Sequence, residues 1–414
     1  MTEIVHLDML QTTGVGALAL LLGMFLTRKL VWLQKFCIPS PVSGGIVFSI
    51  IHLILHAAFG IEIVFDGTLK DVFMLAFFTS VGFQSNMKIL RHGGKTLVLM
   101  LLMLLVLVVS QNVLPLVITK IMDVSPLIGM AAGSISMAGG HGTAGGFSAV
   151  LEAMGLHSAG TIAMAAATFG LIAGSVIGGP VAERLIRKFL TSEHLEPKDY
   201  EIDPAMAGIE SDEASPAGRA KHISSNEIEF QQYASATYSL FIVMALGTIA
   251  TWALQHTGIT FPTYFGSLVM AAIARNILEQ THWRSKLKID RIISVGNISL
   301  SLFLGMAMIS LKLWELQTLA LPLVVILFAQ IAFIILFTYF IAFRLLGSDY
   351  DAAVLVAGIC GFGLGATPNA MANMSAVCYK YHYSVKPFLI VPIIGAMFVD
   401  LLNTAVITLF LNWI

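Results

Sequence analysis

The 414-residue chain is 57% hydrophobic and only 11% charged, whereas soluble domains carry about 25% charged residues. This composition predicts an all-α polytopic membrane protein whose main partner is the lipid bilayer, and the formal net charge of −1 argues against a nucleic-acid partner. Cys37, Cys360 and Cys378 lack the spacing of a metal site, and we expect no structural disulfide and no cofactor.

Ten apolar runs divide the chain into two sets of five predicted membrane helices. A bilayer core about 30 Å thick requires roughly 20 apolar residues per helix. The runs lie near residues 9–27, 42–60, 71–87, 96–119, 160–182, 234–255, 261–279, 293–311, 319–343 and 386–411. Because Arg28 and Lys29 follow the first run directly, it does not resemble a cleaved signal peptide and we expect it to be retained.

The segment between the two sets, residues 189–230, differs in composition. It holds ten acidic residues and three prolines without apolar periodicity, which indicates a flexible acidic linker. The predicted organisation is therefore an N-terminal transmembrane repeat over 1–188, the linker, and a C-terminal repeat over 231–414. Because short cytoplasmic loops collect Lys and Arg, the count of basic residues predicts a cytoplasmic linker with both termini outside.

Two glycine-rich segments, 133–147 and 358–373, interrupt the apolar pattern and are predicted to be re-entrant loops. Most basic residues fall on the cytoplasmic side only if each glycine-rich segment enters and leaves the membrane on the same side. Residue pairs in the two halves share an offset of 225: Gly133 with Gly358, Phe78 with Phe303, and Gly170 with Gly395. This offset indicates a duplication, and five spans per half make the second copy an inverted repeat, as in many secondary transporters.

Each loop is predicted to join two half-helices whose free N–H groups hold an anion, while freed carbonyls suit Na⁺. The neutral donors on the loops are Ser136, Thr143, Thr367 and Asn369. The alternative is that these glycines only permit close helix packing. For Gly170, Gly174 and Gly178, which share one face of the fifth span, packing is the better interpretation.

Three polar residues in apolar spans are candidate cation ligands. Asp400 lies within the last predicted span, where an unpartnered carboxylate would cost several kcal/mol. Asn297 and Ser299 could coordinate Na⁺ with Asp400, or simply bond across helices. His141, on the first loop, is either a proton carrier or a neutral residue that orients the loop. No Ser-His-Asp arrangement suggests an enzyme.

Five motifs resemble the glutamate:sodium symporter family of bacteria. They are residues 139–143 (GGHGT), 361–368 (GFGLGATP), 295–302 (VGNISLSL), 311–316 (LKLWEL) and 395–400 (GAMFVD). The resemblance covers nearly the whole chain except the acidic linker. It carries the family's loop residues onto the following positions: Gly139, Gly140, Gly142, Thr143, Gly363, Gly365 and Thr367.

The resemblance implies Na⁺-coupled uptake of L-glutamate across the bacterial inner membrane by two inverted five-helix halves. With the residue-based analysis, it predicts a secondary transporter that works by alternating access. The remaining alternatives are a Na⁺- or H⁺-coupled symporter of another carboxylate, such as citrate or a hydroxy acid, and an ion channel. The oligomeric state is left open, with a homodimer as one alternative.

Overall fold

The computed structural model describes residues 3–86, 94–190, 224–256, 260–279 and 288–414. Within these residues the chain is helical apart from short connections and two five-residue strands, which the sequence analysis did not predict. The strands β1 (Glu3–Leu7) and β2 (Ile61–Phe65) pair in parallel, with Glu3 opposite Ile61. They fasten the N-terminal segment to the connection that follows the second long helix.

Eight helices of the N-terminal half lie within the described residues. They are α1 (Met9–Lys29), α2 (Val31–Lys35), α3 (Ser40–Phe59), α4 (Thr68–Gln84), α5 (Gly94–Ile121), α6 (Pro126–Ala131), α7 (Gly140–Ala153) and α8 (Ala159–Phe189).

The described part of the C-terminal half adds eight more, together with a 3₁₀ helix at Leu313–Leu319. They are α9 (Ser224–Gln255), α10 (Phe265–Glu279), α11 (Ile289–Ile309), α12 (Ala320–Leu345), α13 (Tyr350–Leu364), α14 (Thr367–Lys380), α15 (Val385–Met397) and α16 (Val399–Leu411).

Seven of the described helices are long and apolar enough to cross a membrane, and the pair α15 and α16 forms an eighth span that bends by 46°. The chain is thus a multi-pass membrane protein. Two predicted spans are shorter than expected, because α4 has 17 residues and α10 has 15. At about 1.5 Å per residue, α10 covers only about 22 Å, less than the thickness of the hydrocarbon core.

The helices pack as two groups, and each group takes helices from both halves of the chain. Bundle A contains α1, α3, α4, α9, α10 and α11, in which α4 packs against α10 and α11, α1 against α3, and α9 against α10. Bundle B contains α5 to α8 and α12 to α16, in which α8 packs against α7, α13 and α14. The packing units therefore differ from the predicted division at the linker, which remains a prediction.

Most of the predicted linker lies outside the described residues. Helix α8 ends at Phe189, and α9 begins at Ser224, inside the range assigned to the linker. All three cysteines are free.

Glycines on α8 allow it to lie directly against α13 in bundle B. A Cβ atom on Gly170 would overlap the carbonyl oxygen of Leu364, and one on Gly174 would lie 3.1 Å from the carbonyl oxygen of Cys360. Gly178 continues the same face and meets α13 and α14. The packing interpretation of these three glycines is therefore confirmed.

The contact between α8 and α13 predicts a position-specific effect of a single methyl group. Gly170→Ala is expected to destabilise the protein by about 1–3 kcal/mol, because the methyl group overpacks against backbone that cannot turn away. Gly179→Ala is the matched control, since no heavy atom lies within 4 Å of its Cβ position, and helix propensity alone should raise stability by up to about 1 kcal/mol. Thermal unfolding of the detergent-solubilised variants measures both. Equal melting temperatures would contradict this account of the interface.

Candidate functional site

The first break in bundle B lies between α6 and α7, where residues 132–139 form turns instead of helix. Side chains compensate for the lost helical hydrogen bonds. The single hydroxyl proton of Ser136 is shared between the carbonyl oxygen of Ala163, at 2.8 Å, and that of Ala131. The amide N–H of Ser134 donates to Asn112 Oδ1 at 3.0 Å. The predicted substrate residue Ser136 is thus engaged in holding the break in shape.

The second break separates α13 from α14 at residues 365–366. Gln111 Nε2 donates to the carbonyl oxygen of Gly363 at 2.6 Å, which satisfies a backbone acceptor at the end of α13. Asn369 Nδ2 donates to the carbonyl oxygen of Leu171 at 2.8 Å and to Ser175 Oγ at 2.7 Å. These bonds fix the first turn of α14 to α8.

The two breaks meet. Gly140, the first residue of α7, has a φ of +58°, and a Cβ atom there would lie 2.9 Å from the carbonyl oxygen of Gly365. Only glycine fits this position without strain. The N-termini of α7 and α14 consequently converge on one place inside bundle B, which is the arrangement of a site for an anion.

Several glycines of the predicted loops lie in helices instead, so the breaks are shorter than the predicted loops. On α7, a Cβ atom on Gly142 would lie 3.2 Å from the ring of Phe77, and Gly145 and Gly146 lie directly against the rings of Phe303 and Tyr264. Residues 140–147 can remain helical because each missing side chain makes room for an aromatic ring of bundle A.

Gly363 has the same role in α13, where a Cβ atom would lie 2.6 Å from Ile334 Cδ1 and 3.0 Å from Leu107 Cδ2. Residues 358–364 also belong to α13. At the other break, Thr367 is half-buried, and its side chain fills the space over Gly395 of α15. The two predicted loop residues thus differ in position, since Thr367 borders the break and Gly363 packs inside a helix.

Asp400 lies close to the first break. Thr143 of α7 is fully buried, and its hydroxyl is 3.5 Å from Asp400 Oδ1. The predicted span at 386–411 is bent by 46°, because Phe398 separates α15 from α16. Asp400 therefore occupies the first turn of α16, where the positive end of the helix dipole stabilises a carboxylate.

His141 is buried and lies 2.9 Å, Nε2 to Oγ1, from Thr168. The Thr168 hydroxyl donates to the carbonyl oxygen of Met164, also at 2.9 Å. Because the hydroxyl has only one proton, it accepts from a protonated Nε2. The bond orients the start of α7, and both the neutral and the protonated imidazole can form it, so the role of His141 stays a prediction.

The other two predicted cation ligands belong to bundle A. Asn297 is exposed on α11, and the Ser299 hydroxyl is buried and donates to the carbonyl oxygen of Val295 in its own helix at 2.9 Å. Among the described residues, Thr143 is within hydrogen-bond distance of Asp400, whereas Asn297 and Ser299 are not. A sodium-binding role for Asn297 and Ser299 stays a prediction.

A cavity of about 420 Å³ lies between the two bundles and reaches α7 at Gly145. Its charged lining residues are Lys70, Glu152, Lys312 and Glu315. The sequence analysis did not select these residues, although Lys70 and Lys312 are among the few basic residues on the side predicted to be external.

At the rim of the cavity, Lys312 Nζ lies 2.6 Å from Glu62 Oε1. This ion pair lowers the pKa of the Glu62 carboxyl, mainly through the hydrogen bond from Lys312. It links the connection after α11 to strand β2.

A family model described as sodium/glutamate symporter matches residues 5–383. The chain belongs to the sodium/glutamate symporter family. It is 40% identical over 408 residues to the sodium/glutamate symporter of Escherichia coli (strain K12), with 98% of both chains covered. It is 38% identical over 398 residues to that of Haemophilus influenzae, covering 96% of this chain and 95% of the relative. A member of this family is a transporter and not an enzyme.

The close approach of the two breaks predicts a selective effect at Gly140. Gly140→Ala is expected to lower stability more than Gly94→Ala, because both residues have positive φ but only Gly140 faces a backbone oxygen. Each variant bears about 1–2 kcal/mol of backbone strain, and Gly140→Ala adds about 1–3 kcal/mol of overpacking. Thermal unfolding in detergent measures the difference. Equal losses would show that the breaks do not constrain each other.

Proposed function

We propose that the protein is a Na⁺-coupled symporter that takes up L-glutamate by alternating access. The observation that carries this proposal is the meeting of the α7 and α14 N-termini at Gly140 and Gly365. Glutamate has two carboxylates, and each helix N-terminus contributes positive potential. The unpaired N–H groups are mainly those of the first turn of α7, because in α14 Pro368 has no N–H and the N–H of Asn369 donates to the carbonyl oxygen of Ala366 at 3.0 Å. The name of the family, which specifies sodium and glutamate, agrees with this chemistry.

Side chains at the breaks complement a zwitterionic substrate. The hydroxyls of Thr143 and Thr367 lie at the two helix N-termini as neutral donors. Asn369 uses its Nδ2 on α8, while its buried Oδ1 has no hydrogen-bond partner among the described residues. An unpaired carbonyl oxygen suits the ammonium group of an amino acid, which citrate and hydroxy acids lack. This feature favours glutamate over the other carboxylates.

Bundle B contains both breaks, so a movement of bundle B against bundle A would carry the whole site. The face of α7 that meets bundle A has glycines at 142, 145 and 146 against aromatic rings. Such an interface has few side chains that interlock, which favours movement between two positions. In the predicted orientation, an inverted repeat with both termini outside, the cavity at Lys70 and Lys312 would give access from the external side.

Uptake by the purified protein in liposomes tests the proposal. We expect saturable accumulation of labelled L-glutamate that requires an inward Na⁺ gradient, and counterflow when vesicles are preloaded with glutamate. Citrate and hydroxy acids should compete weakly. Stronger competition by citrate would favour a carboxylate symporter, and ohmic current without counterflow would favour a channel.

The single carboxylate at the first break predicts the effect of its removal. Asp400→Asn is expected to abolish the Na⁺ dependence of uptake while the binding of glutamate measured without Na⁺ is retained, because the amide keeps the shape but not the charge. Uptake at varied Na⁺, and binding of labelled glutamate, measure the two properties separately. Asp290→Asn, in the first turn of α11, is a control that removes a carboxylate elsewhere and should preserve Na⁺ coupling.

A further inference from the structure

Two buried oxygen atoms at the first break have no hydrogen-bond partner among the described residues. They are Ser134 Oγ and Asn403 Oδ1, and both side chains are 0% exposed. A buried polar atom without a partner costs about 1–3 kcal/mol, so it is retained only where something else uses it. The sequence analysis selected neither residue.

Both atoms belong to a compact polar group around Gly139. The position that a Cβ atom on Gly139 would take lies 2.5 Å from Thr143 Cβ and 2.7 Å from Asn403 Nδ2, so these side chains lie next to each other. Asn403 Nδ2 donates to the carbonyl oxygen of Ser134 at 3.0 Å. The amide is planar, which leaves its Oδ1 beside the same turn of the chain.

The charge for this group comes from α16. Asp400 lies three residues before Asn403 and therefore on the same face of the helix. Its Oδ1 is 3.5 Å from Thr143 Oγ1, at the long limit of a hydrogen bond. Asp400, Thr143 and Asn403 thus lie together beside Gly139, and the Asn403 amide joins this group to the turn that carries Ser134.

We propose that the coupled Na⁺ binds at this break, with Ser134 Oγ, Thr143 Oγ1, Asn403 Oδ1 and Asp400 as its side-chain ligands. Hydroxyl, amide and carboxylate oxygens are the ligands that hard cations prefer. A single carboxylate balances the charge of one Na⁺, and the three neutral ligands do not titrate. The site rests on the proposed symport and replaces Asn297 and Ser299 as partners of Asp400.

The position explains how the cation and the substrate would be coupled. Ser134 lies within the break, and Thr143 lies in the first turn of α7, whose N-terminus faces Gly365. A cation that draws these groups together holds the α7 N-terminus in the geometry that the glutamate carboxylate requires. Binding of Na⁺ would then strengthen binding of glutamate, and binding of glutamate would strengthen binding of Na⁺ by the same factor.

Ser134→Ala tests the site cleanly, because the hydroxyl makes no hydrogen bond within the described structure and its removal should not weaken the fold. We expect the Na⁺ concentration for half-maximal effect to rise about tenfold or more, as for loss of one interaction with a charged group. Two measurements report it: the rise in melting temperature of the purified full-length protein on titration with NaCl, with choline chloride keeping ionic strength constant, and Na⁺-dependent uptake in liposomes.

The matched control is Thr79→Val in bundle A, a buried hydroxyl that donates to the carbonyl oxygen of Leu75 in its own helix. It should leave the half-maximal Na⁺ concentration unchanged. An unchanged value in Ser134→Ala would overturn the site, and a shift in Ser299→Ala alone would restore the assignment to α11.

These outcomes are separable from a failure of the proposed function. If the wild type shows a Na⁺-dependent melting temperature that Ser134→Ala loses, the site holds even when no glutamate is transported. If uptake depends on Na⁺ equally in the wild type and in Ser134→Ala, the symport holds and the site is wrong.

Discussion

A helix interrupted inside a bilayer exposes N–H and C=O groups that lipid cannot satisfy, so protein must satisfy them. The rest of this structure depends on that constraint. Gln111, Asn112 and Asn369 direct side-chain amides at backbone groups around the two breaks, and Ser136 bridges two carbonyls. The first N–H groups of α7 have no partner within their helix, and we propose that they hold the anion together with the positive end of α14. The same breaks that the bundle must stabilise therefore supply its recognition chemistry.

Glycine serves two distinct purposes in bundle B. At Gly140 the backbone requires a positive φ and a close approach to Gly365, so glycine permits the break. At Gly145 and Gly170 the backbone is an ordinary helix, and glycine permits contact with an aromatic ring or another helix. The first use shapes the site, and the second brings the site's helices close enough to bury it.

The separation into two bundles connects the site to movement. Both breaks and Asp400 lie in bundle B, whereas the rings of Phe77 and Tyr264 that cover α7 belong to bundle A. Contacts made by rings against glycines are broad and apolar, and among these rings Tyr264 also hydrogen-bonds across the boundary, its hydroxyl 3.3 Å from Thr404 Oγ1. Side-chain hydrogen bonds thus hold the breaks, while the face of α7 meets bundle A mainly through apolar contact, which suits the movement proposed above.

Composition and hydrophobic periodicity alone were sufficient to predict an all-α membrane protein, most of its spans, and the two glycine-rich segments as the place of interest. The prediction of the spans succeeds because each span requires about 20 consecutive apolar residues, and such a run is visible in the sequence. The packing role of Gly170, Gly174 and Gly178 was also visible, since their spacing places them on one helix face. The sequence did not show whether Gly145 and Gly363 lie in a loop or in a helix, because this depends on which ring or side chain packs against each glycine.

Tertiary structure alone decided which polar residues share a site. Asn297 and Asp400 are both polar residues in apolar runs, and nothing local distinguishes the exposed α11 position from one beside Thr143. Ser134 and Asn403 lie far apart in the chain and come together only because α16 packs across the first break. The sequence by itself determined that the chain spans the membrane and where its helices could break. The fold determined which oxygens meet there, because that depends on long-range packing that no local pattern records.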